Sequence, residues 1–345
     1  MQRQRRVAAT AAVAVAGLAF TAIAGCSSSS GGSTASAGSS ASSSKTDLSK
    51  TTFAFADANT SNDYHVTFQC GIVAAAKKDN ITNLKIYGST PHTATAQLPV
   101  LRSIAATRPD VLIIGSTDAE ALTPTLKQMQ QAGTKIIFYD AGVSDQSVGL
   151  ALVQANNTAG GKLAADTLGK DMGGKGKVLV VGDTPGSIPT EDRIIGFQEE
   201  MKAKFPNIKL LTAQYDQESP VNDTTIVNAA VAANKDLTAI FPAYNEAAVG
   251  VIAALNSNHL QGKYKIVSFD ADPTEVKFIE NGEILAAVNQ APYAQADKAM
   301  QLAIDAAEGK KITQRTWQLA MPLITKANLS NPTVKDELYS ATKCS

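Results

Sequence analysis

The chain has few residues that could perform chemistry. Its 345 residues include only three cysteines, three histidines and one tryptophan. The histidines, His65, His92 and His259, lack a histidine, cysteine or acidic partner at the spacing of a zinc site, which argues against a metal hydrolase. The sequence contains no Gly-x-Ser-x-Gly elbow, and no cysteine has a nearby histidine, so nothing supports nucleophilic catalysis. We therefore expect a protein that is not an enzyme and needs no cofactor or metal.

Basic clusters and long apolar runs are also missing after the N-terminus. Residues 1–25 contain three of the 31 basic residues and none of the 31 acidic ones, so the remaining chain has a net charge of about −3. Without a basic run or aromatic-basic interleaving, nucleic acid is not an expected partner. No later apolar segment is long enough to span a bilayer.

The N-terminus has the layout of a bacterial lipoprotein signal. Three arginines within the first six residues precede an alanine-rich run from Val7 to Ala24, and Ile23-Ala24-Gly25-Cys26 forms a lipobox. An uncleaved membrane anchor is the alternative, although the two threonines in this run weaken it as a span. We expect residues 1–25 to be a signal peptide and Cys26 to carry the lipid. The protein is then extracytoplasmic and lipid-anchored to the cell membrane.

The segment after Cys26 has no apolar surface to bury. Ser27 to Ser44 consists almost entirely of serine, glycine, alanine and threonine, which predicts a flexible linker. A Gly/Ser coil of this length reaches about 20 to 25 Å. We therefore assign residues 26–50 to the lipidated cysteine and its linker, which tethers a domain beside the membrane or acts as a passive spacer.

Two cysteines remain, Cys70 in the first predicted helix and Cys344 in the terminal tail. Two thiols in an oxidising compartment favour a disulfide, which would pin the tail across the body. The alternative is two buried or unpaired thiols, because spacing alone does not establish that their Cα atoms approach within bonding range.

The body of the chain predicts an α/β fold. About 295 residues follow Lys50, which fits two domains better than one. Short β-branched or aromatic runs alternate with alanine-rich helical segments, the pattern of parallel sheets flanked by helices. Strands are predicted at Thr52–Ala56, Leu84–Tyr87, Val111–Ile114, Lys135–Tyr139, Val148–Gln154, Lys177–Val181, Ile208–Ala213, Ala239–Phe241, Ile266–Phe269 and Leu285–Asn289. Helices are predicted to begin near Asp63, Thr93, Thr123, Thr158, Thr190, Asp223, Glu246 and Gln295. So many strands are most simply divided between two similar lobes.

Acidic residues follow several predicted strands. They are Asp57, Asp140, Asp183, Asp216 and Asp270. In an open α/β sheet the carboxyl ends of the strands form the ligand-binding edge, so these acids indicate a polar cleft. The alternative for each is that it caps the following helix or makes a turn.

Several motifs, in their order and spacing, resemble type I periplasmic solute-binding proteins of the ribose-like sugar-binding group of ABC importers. The resemblance covers residues 51 to 326. Its marks are Asn62 to Gly71, Tyr139-Asp140, Asn156 through Gly160-Gly161-Lys162, Arg193-Ile194-Ile195-Gly196-Phe197, Asn245-Glu246 followed by Gly250, Phe269-Asp270 and Gln290-Ala291-Pro292. It implies two doubly wound parallel-sheet lobes joined by three hinge crossovers. Lobe 1 is then 51–154 plus 291–321, and lobe 2 is 155–290 plus 322–345 with the tail.

The resemblance also implies where a ligand binds. The candidate ligand-binding residues are Asn62, Tyr64, His65, Asp140, Asn157, Glu191, Arg193, Tyr244, Asp270 and Gln290. We expect Tyr64 and His65 to lie against the C–H face of a sugar or, alternatively, to pack or cap the first helix; Gln290 is alternatively a hinge residue.

Three positions depart from the ribose-type pattern. Ala141 and Glu191 stand where ribose-type proteins carry arginines, and Tyr244 replaces a cleft asparagine. Arg193 remains, with a spacing that suits helix support or an ion pair with Glu191. The loss of two guanidinium groups disfavours a pyranose held by them, and it points toward the branch that binds a furanose-like autoinducer or rhamnose. Polyols and cationic solutes also fit an acidic pocket.

The sequence thus predicts the substrate-binding lipoprotein of an ABC importer. It would bind a small polyhydroxylated solute, a sugar or polyol, as a monomer and deliver it to a membrane permease. The alternative is a receptor for an autoinducer-type or other small signal that feeds a sensory system. A transcription regulator with this fold is disfavoured by the export signal and by the lack of a DNA-binding helix pair.

Overall fold

The computed structural model describes residues 48–335, 337–339 and 344. The predicted signal peptide, Cys26 and the linker as far as residue 47 lie outside the described residues. Within the part that the structure describes, no helix combines the length and apolar character needed to cross a membrane.

The described chain alternates strands and helices. The strands are β1 (Phe53–Asp57), β2 (Leu84–Gly88), β3 (Val111–Ile114), β4 (Lys135–Tyr139), β5 (Ala151–Ala155), β6 (Lys175–Gly182), β7 (Asn207–Leu210), β8 (Gln214–Tyr215), β9 (Ala239–Pro242), β10 (Lys265–Phe269), β11 (Ala286–Val288), β12 (Thr316–Leu319) and β13 (Leu323–Thr325). The helices are α1 (Asp63–Lys78), α2 (Ala94–Thr107), α3 (Thr123–Gln131), α4 (Asn157–Asp171), α5 (Ile188–Lys204), α6 (Pro220–Ala233), α7 (Asn245–Ser257), α8 (Pro273–Asn281), α9 (Pro292–Ala307) and α10 (Pro332–Lys335). A 3-10 turn, Leu48–Lys50, precedes β1.

The strands form two sheets of matching topology. The first has the order β2-β1-β3-β4-β5 with β12 added beside β5, and the second has the order β7-β6-β9-β10-β11 with β13 added beside β11. Every pairing is parallel except that of β11 with β13, and β8 pairs with β6. The chain passes between the sheets after β5, after β11 and after β12. The predicted two-lobed, doubly wound α/β fold with three crossovers is therefore confirmed, while the lobe boundaries at single-residue level remain a prediction.

Each sheet is covered on both faces, which explains why its central strands are continuously apolar. All residues of β1, β3 and β9 are buried. In β1, Phe53 and Phe55 belong to the core shared with α1 and α9, whereas Ala54 and Ala56 belong to the core on the opposite face. Strands buried on both sides lose the polar alternation of a half-exposed sheet.

Two helices of the second lobe, α4 and α5, approach each other closely through glycines. A Cβ atom on Gly161 would lie 2.0 Å from the carbonyl oxygen of Arg193, and one on Gly196 would lie 2.1 Å from that of Thr158. Backbone atoms cannot move aside as a flexible side chain can, so only glycine fits at these positions. This contact fixes α5, and with it Arg193, against the N-terminal turn of α4.

The predicted helix starts need three corrections. The starts predicted at Thr190, Asp223 and Gln295 are late, because α5, α6 and α9 begin two or three residues earlier, and each has proline at its first or second position. Proline is favoured there because its missing N–H group has no helical partner in any case. Helix α8 and strands β12 and β13 were not predicted.

Candidate functional site

Two aspartates occupy equivalent positions in the two lobes. Asp140 follows β4, Asp270 follows β10, and each strand is fourth in its sheet order. Both have positive φ, 58° and 93°, and each donates its N–H to the adjoining strand at 2.8 Å, to Val153 and to Val288 respectively. Non-glycine residues with positive φ are uncommon and cluster at functional sites. In each lobe the backbone therefore changes direction at an aspartate, at the same position after the equivalent strand.

The two aspartates and Tyr64 share one electrostatic environment. Burial raises the pKa of the half-buried Asp140, nearby Arg193 and then His92 lower it, and the negative Asp270 raises it. Burial also holds the pKa of Tyr64 well above its usual value, with Asp140 and Asp270 both adding to the effect. Asp140 and Asp270 are therefore close enough for the charge of Asp270 to act on Asp140, as expected of two residues at the predicted interlobe cleft.

Asp270 is the centre of a hydrogen-bond network. Its Oδ1 accepts from Gln290 Nε2 and, at 2.9 Å, from the Tyr339 hydroxyl. Its Oδ2 accepts from the Asn245 N–H at 3.0 Å and lies 3.9 Å from Arg193 Nη1. The carboxylate is buried, so these donors replace its hydration.

Arg193 is buried and held from three sides. Its Nε donates to Asn157 Oδ1 at 2.9 Å, its Nη1 donates to the Ala243 carbonyl at 3.0 Å, and its guanidinium lies 4.6 Å above the Phe269 ring. The ion pair with Glu191 that we considered from the sequence is not formed. Residues two apart on a helix do not face each other, and Glu191 instead accepts from the Tyr215 hydroxyl at 2.7 Å.

Asn62 caps α1 and links the lobes. Its Oδ1 accepts from the backbone N–H groups of Tyr64 and His65 at 3.0 and 3.4 Å, which is the role of an N-cap residue. Its Nδ2 donates to Glu246 Oε1, at 2.8 Å, on α7 of the second lobe. One asparagine therefore caps the start of a helix in the first lobe and contacts a helix of the second lobe.

Tyr64 and His65 are buried and have internal partners. The Tyr64 hydroxyl donates to Gln295 Oε1 at 3.0 Å, and His65 Nδ1 lies 3.2 Å from the Tyr139 hydroxyl. Burial, followed by the nearby His92, holds the pKa of His65 well below its usual value. These contacts agree with the packing alternative to sugar stacking, although the charges of both aspartates act on Tyr64.

The Tyr244 hydroxyl is hydrogen-bonded to a residue of its own lobe, the second. It donates to Asp216 Oδ1 at 2.6 Å, and Asp216 is in turn hydrogen-bonded to Asp223. Burial and Asp216 together raise the pKa of Asp223 to about 8. The fully buried carboxyl groups of Asp216 and Asp223 thus share a proton. The Tyr244 hydroxyl is hydrogen-bonded to this pair through Asp216.

This carboxyl pair predicts a pH-dependent stability. In the unfolded chain Asp223 titrates near 3.8, the ordinary pKa of an aspartate, and the folded chain keeps the proton until about pH 8. Between these values the unfolded chain binds fewer protons than the folded chain, so stability falls as pH rises. Asp223→Asn does not titrate, so its stability relative to wild type should improve by about 1 kcal/mol per pH unit from pH 5 to 8. Urea unfolding at three pH values measures this slope, and parallel pH profiles for the two proteins would contradict it.

The remaining acids after strands divide between a turn and burial. Asp183 accepts from the Ser187 and Thr190 hydroxyls at 2.8 and 3.1 Å, so it supports the turn that leads into α5. Asp57 is buried, accepts from the Asn59 N–H at 3.0 Å, and has its pKa raised by burial to about 6.

Three residues near the cleft were not among the predicted site residues. His92 contributes to the charge environment of Asp140, and its ring centroid lies 5.5 Å from that of His65. Glu246 bonds Asn62, and burial raises its pKa to about 7. Tyr339 comes from the C-terminal tail. Glu246 belongs to the Asn245-Glu246 motif, one of the marks of the family resemblance. No sequence signal identifies His92 or Tyr339.

The C-terminal tail is joined to the first lobe by a disulfide. Cys344 is bonded to Cys70 of α1, and their Cα atoms are 4.8 Å apart. This distance lies within the range of protein disulfides.

The described residues contain no cluster of three or more histidine, cysteine or acidic side chains suited to a metal ion.

Two similar lobes, each contributing an aspartate to a shared polar cleft, define a two-lobed solute-binding protein. The chain belongs to the periplasmic binding protein domain family, whose model matches residues 53–311. The resemblance inferred from the sequence is thereby confirmed.

Relatives and solved structures agree with this assignment. The ribose import binding protein of Salmonella typhimurium is 25% identical over 280 residues, which are 81% of this chain and 92% of the relative. A solute-binding protein from Agrobacterium vitis, solved with α-D-tagatopyranose, is similar with a TM-score of 0.79 and 28% identity over 84% of this chain and 100% of its own. One from Agrobacterium radiobacter, solved with D-arabinose, has a TM-score of 0.75 and 25% identity over 84% and 98%.

Proposed function

We propose that this protein is the substrate-binding subunit of an ABC importer and that it binds a small polyhydroxylated solute, a sugar or polyol, between its lobes. The observation that carries the proposal is that Asp140 and Asp270, one from each lobe, are close enough for their charges to interact with Arg193 between them, in lobes that the Asn62 to Glu246 hydrogen bond joins. A ligand held by both aspartates bridges the lobes. Its binding then favours the closed arrangement over the open one.

The cleft has acceptors that suit hydroxyl groups. The Asp140 carboxylate accepts no hydrogen bond from any described residue, and the buried Gln290 Oε1 has no partner among the described residues. Leaving a buried acceptor unsatisfied costs about 1 to 3 kcal/mol, so a ligand that donates hydroxyl groups gains by satisfying both. A polyol or sugar supplies such donors on neighbouring carbons.

The ligands of relatives support this chemistry but differ among themselves. Relatives are named for ribose and galactofuranose, and similar structures contain tagatose and arabinose. Ala141 and Glu191 remove two cations expected of the ribose type, and the Tyr244 hydroxyl is bound to Asp216. We therefore expect selectivity to differ from that of a ribose-binding protein.

The N-terminal sequence supports delivery at a membrane surface. A lipidated Cys26 and its serine-rich linker would hold the two lobes within reach of a permease. The Asn62 to Glu246 hydrogen bond already joins the lobes across the cleft and would contribute to the closed form that the permease recognises. Binding and delivery involve no covalent step, so the protein releases the solute unchanged.

A thermal-shift screen of residues 26–345 carrying Cys26→Ser tests the proposal. The panel contains pentoses, hexoses, polyols, a furanose-type autoinducer, amines and amino acids. A ligand at a hundred times its Kd stabilises the folded state by about 2.7 kcal/mol, so at least one hydroxylated compound should raise the Tm by several degrees. Stabilisation by amines or amino acids alone would contradict the carbohydrate assignment.

A further inference from the structure

The C-terminal tail returns to the cleft from outside both sheets. After α10 the Glu337 carbonyl accepts a hydrogen bond, at 3.0 Å, from Asn289 Nδ2 at the second crossover. Tyr339 follows, and Cys344 is joined to Cys70 of α1. The tail is therefore held at a crossover on one side of Tyr339 and by a covalent bond on the other.

Tyr339 lies among the predicted ligand-binding residues. Its side chain is only 5% exposed, and its ring centroid is 6.1 Å from that of Tyr64. Its hydroxyl donates to Asp270 Oδ1, the same oxygen that accepts from Gln290 Nε2. Three candidate ligand residues thus adjoin one tyrosine from the tail.

We propose that Tyr339 is a specificity-determining residue of the cleft and that the Cys70–Cys344 disulfide keeps it in place. This inference rests on the proposed function. The phenol ring forms the wall of the cleft on the side of the crossovers, and it limits how far a sugar extends in that direction.

The hydrogen bonds to Asp270 explain how Tyr339 directs the ligand. A carboxylate oxygen has two lone-pair sites, and on Oδ1 these are filled by Gln290 and Tyr339. A ligand hydroxyl therefore reaches Asp270 only through Oδ2, beside Arg193. Loss of the Tyr339 ring would open both the second Oδ1 site and the space that the ring fills, so a larger sugar would gain more than a smaller one.

The test compares the affinity ratio of two sugars. Isothermal titration calorimetry gives Kd for the tightest-binding sugar of the screen and for its homologue with one additional hydroxymethyl group. For Tyr339→Ala we expect the ratio of the two Kd values to shift at least tenfold toward the larger sugar. Tyr339→Phe frees the second Oδ1 site for either sugar but keeps the ring that fills the space, so the ratio should stay within about threefold of wild type. Cys70→Ser with Cys344→Ser should shift the ratio in the same direction as Tyr339→Ala.

The matched control is Tyr264→Ala, which removes a tyrosine that is 6% exposed in the core of the second lobe. It should lower the Tm and leave the ratio unchanged, as a merely structural residue would. If Tyr339→Ala does not fold, wild type with its disulfide reduced supplies the same comparison. An unchanged ratio in Tyr339→Ala and in the Cys70→Ser, Cys344→Ser variant, with normal binding by wild type, would overturn the role of Tyr339 alone. A wild-type protein that binds no sugar would overturn the proposed function as well.

Discussion

Replacing Asp140 by asparagine should weaken sugar binding about ten- to a hundredfold while leaving the ligand-free protein at least as stable as wild type. A hydrogen bond to a charged group contributes about 1.5 to 3 kcal/mol, and each 1.4 kcal/mol is about tenfold in Kd. The Asp140 carboxylate accepts no hydrogen bond from a described residue, so its replacement by an amide costs the free protein no side-chain hydrogen bond. Burial raises its pKa, which means that ionised Asp140 is disfavoured in the folded state at neutral pH, and asparagine removes that penalty.

Asp270→Asn should behave differently because Asp270 organises its surroundings. Its two oxygens accept from Gln290, Tyr339 and the Asn245 N–H, and an amide NH₂ in place of one oxygen would face a donor. The buried Arg193, 3.9 Å away, would also lose its neighbouring negative charge. We expect a loss of affinity at least as large as for Asp140→Asn, together with a Tm several degrees lower without ligand.

Calorimetric titration with the tightest sugar of the screen and thermal unfolding without ligand separate the two roles. Asp297→Asn is the charge-matched control, because Asp297 is exposed and pairs only with Lys78 on the surface. Such a pair contributes about 0 to 1 kcal/mol, so this variant should bind as wild type does. Unchanged affinity in Asp140→Asn would exclude a ligand contact by Asp140.

The fold was largely predictable because its signals are local. Strands β3 and β4 have the predicted bounds, since fully buried parallel strands are short apolar runs bounded by polar residues. Strand β12 escaped prediction because Thr316–Leu319 alternates exposed and half-buried residues at the edge of its sheet. Helix α8 was missed although Asp272, Pro273 and Glu275 form a capping box with proline and Gly282 ends the helix.

The cleft residues whose positions depend only on the topology of the sheets could be predicted from the sequence. Asp140 and Asp270 follow equivalent strands, so the rule for carboxyl ends of parallel strands locates both. The partner of Arg193 was not predictable in this way, because Asn157 and Ala243 reach it from other elements. The position of Tyr339 depends on a tail that carries no helix or strand signal at that point, and its contact with Asp270 spans 69 residues of sequence.

Gly161→Ala should cause the largest loss of stability among the variants considered for the second lobe. The added Cβ would approach the Arg193 carbonyl oxygen to 2.0 Å, the Arg193 carbonyl carbon to 2.9 Å and the Phe197 nitrogen to 2.8 Å. All three atoms belong to the α5 backbone, so the helices must separate. Overpacking of this kind costs on the order of 3 kcal/mol. We expect a markedly lower Tm for the ligand-free protein.

The same displacement should reach the ligand site. Moving α5 carries Arg193 away from Asn157 and Phe269, which hold its guanidinium near Asp270, so sugar affinity should fall together with Tm. Lys162→Ala is the control in the next position of α4, because its side chain is exposed and forms only a surface ion pair with Glu199. That variant should change stability by less than about 1 kcal/mol and leave binding unchanged. A wild-type Tm in Gly161→Ala would show that the close approach of α4 and α5 does not support Arg193.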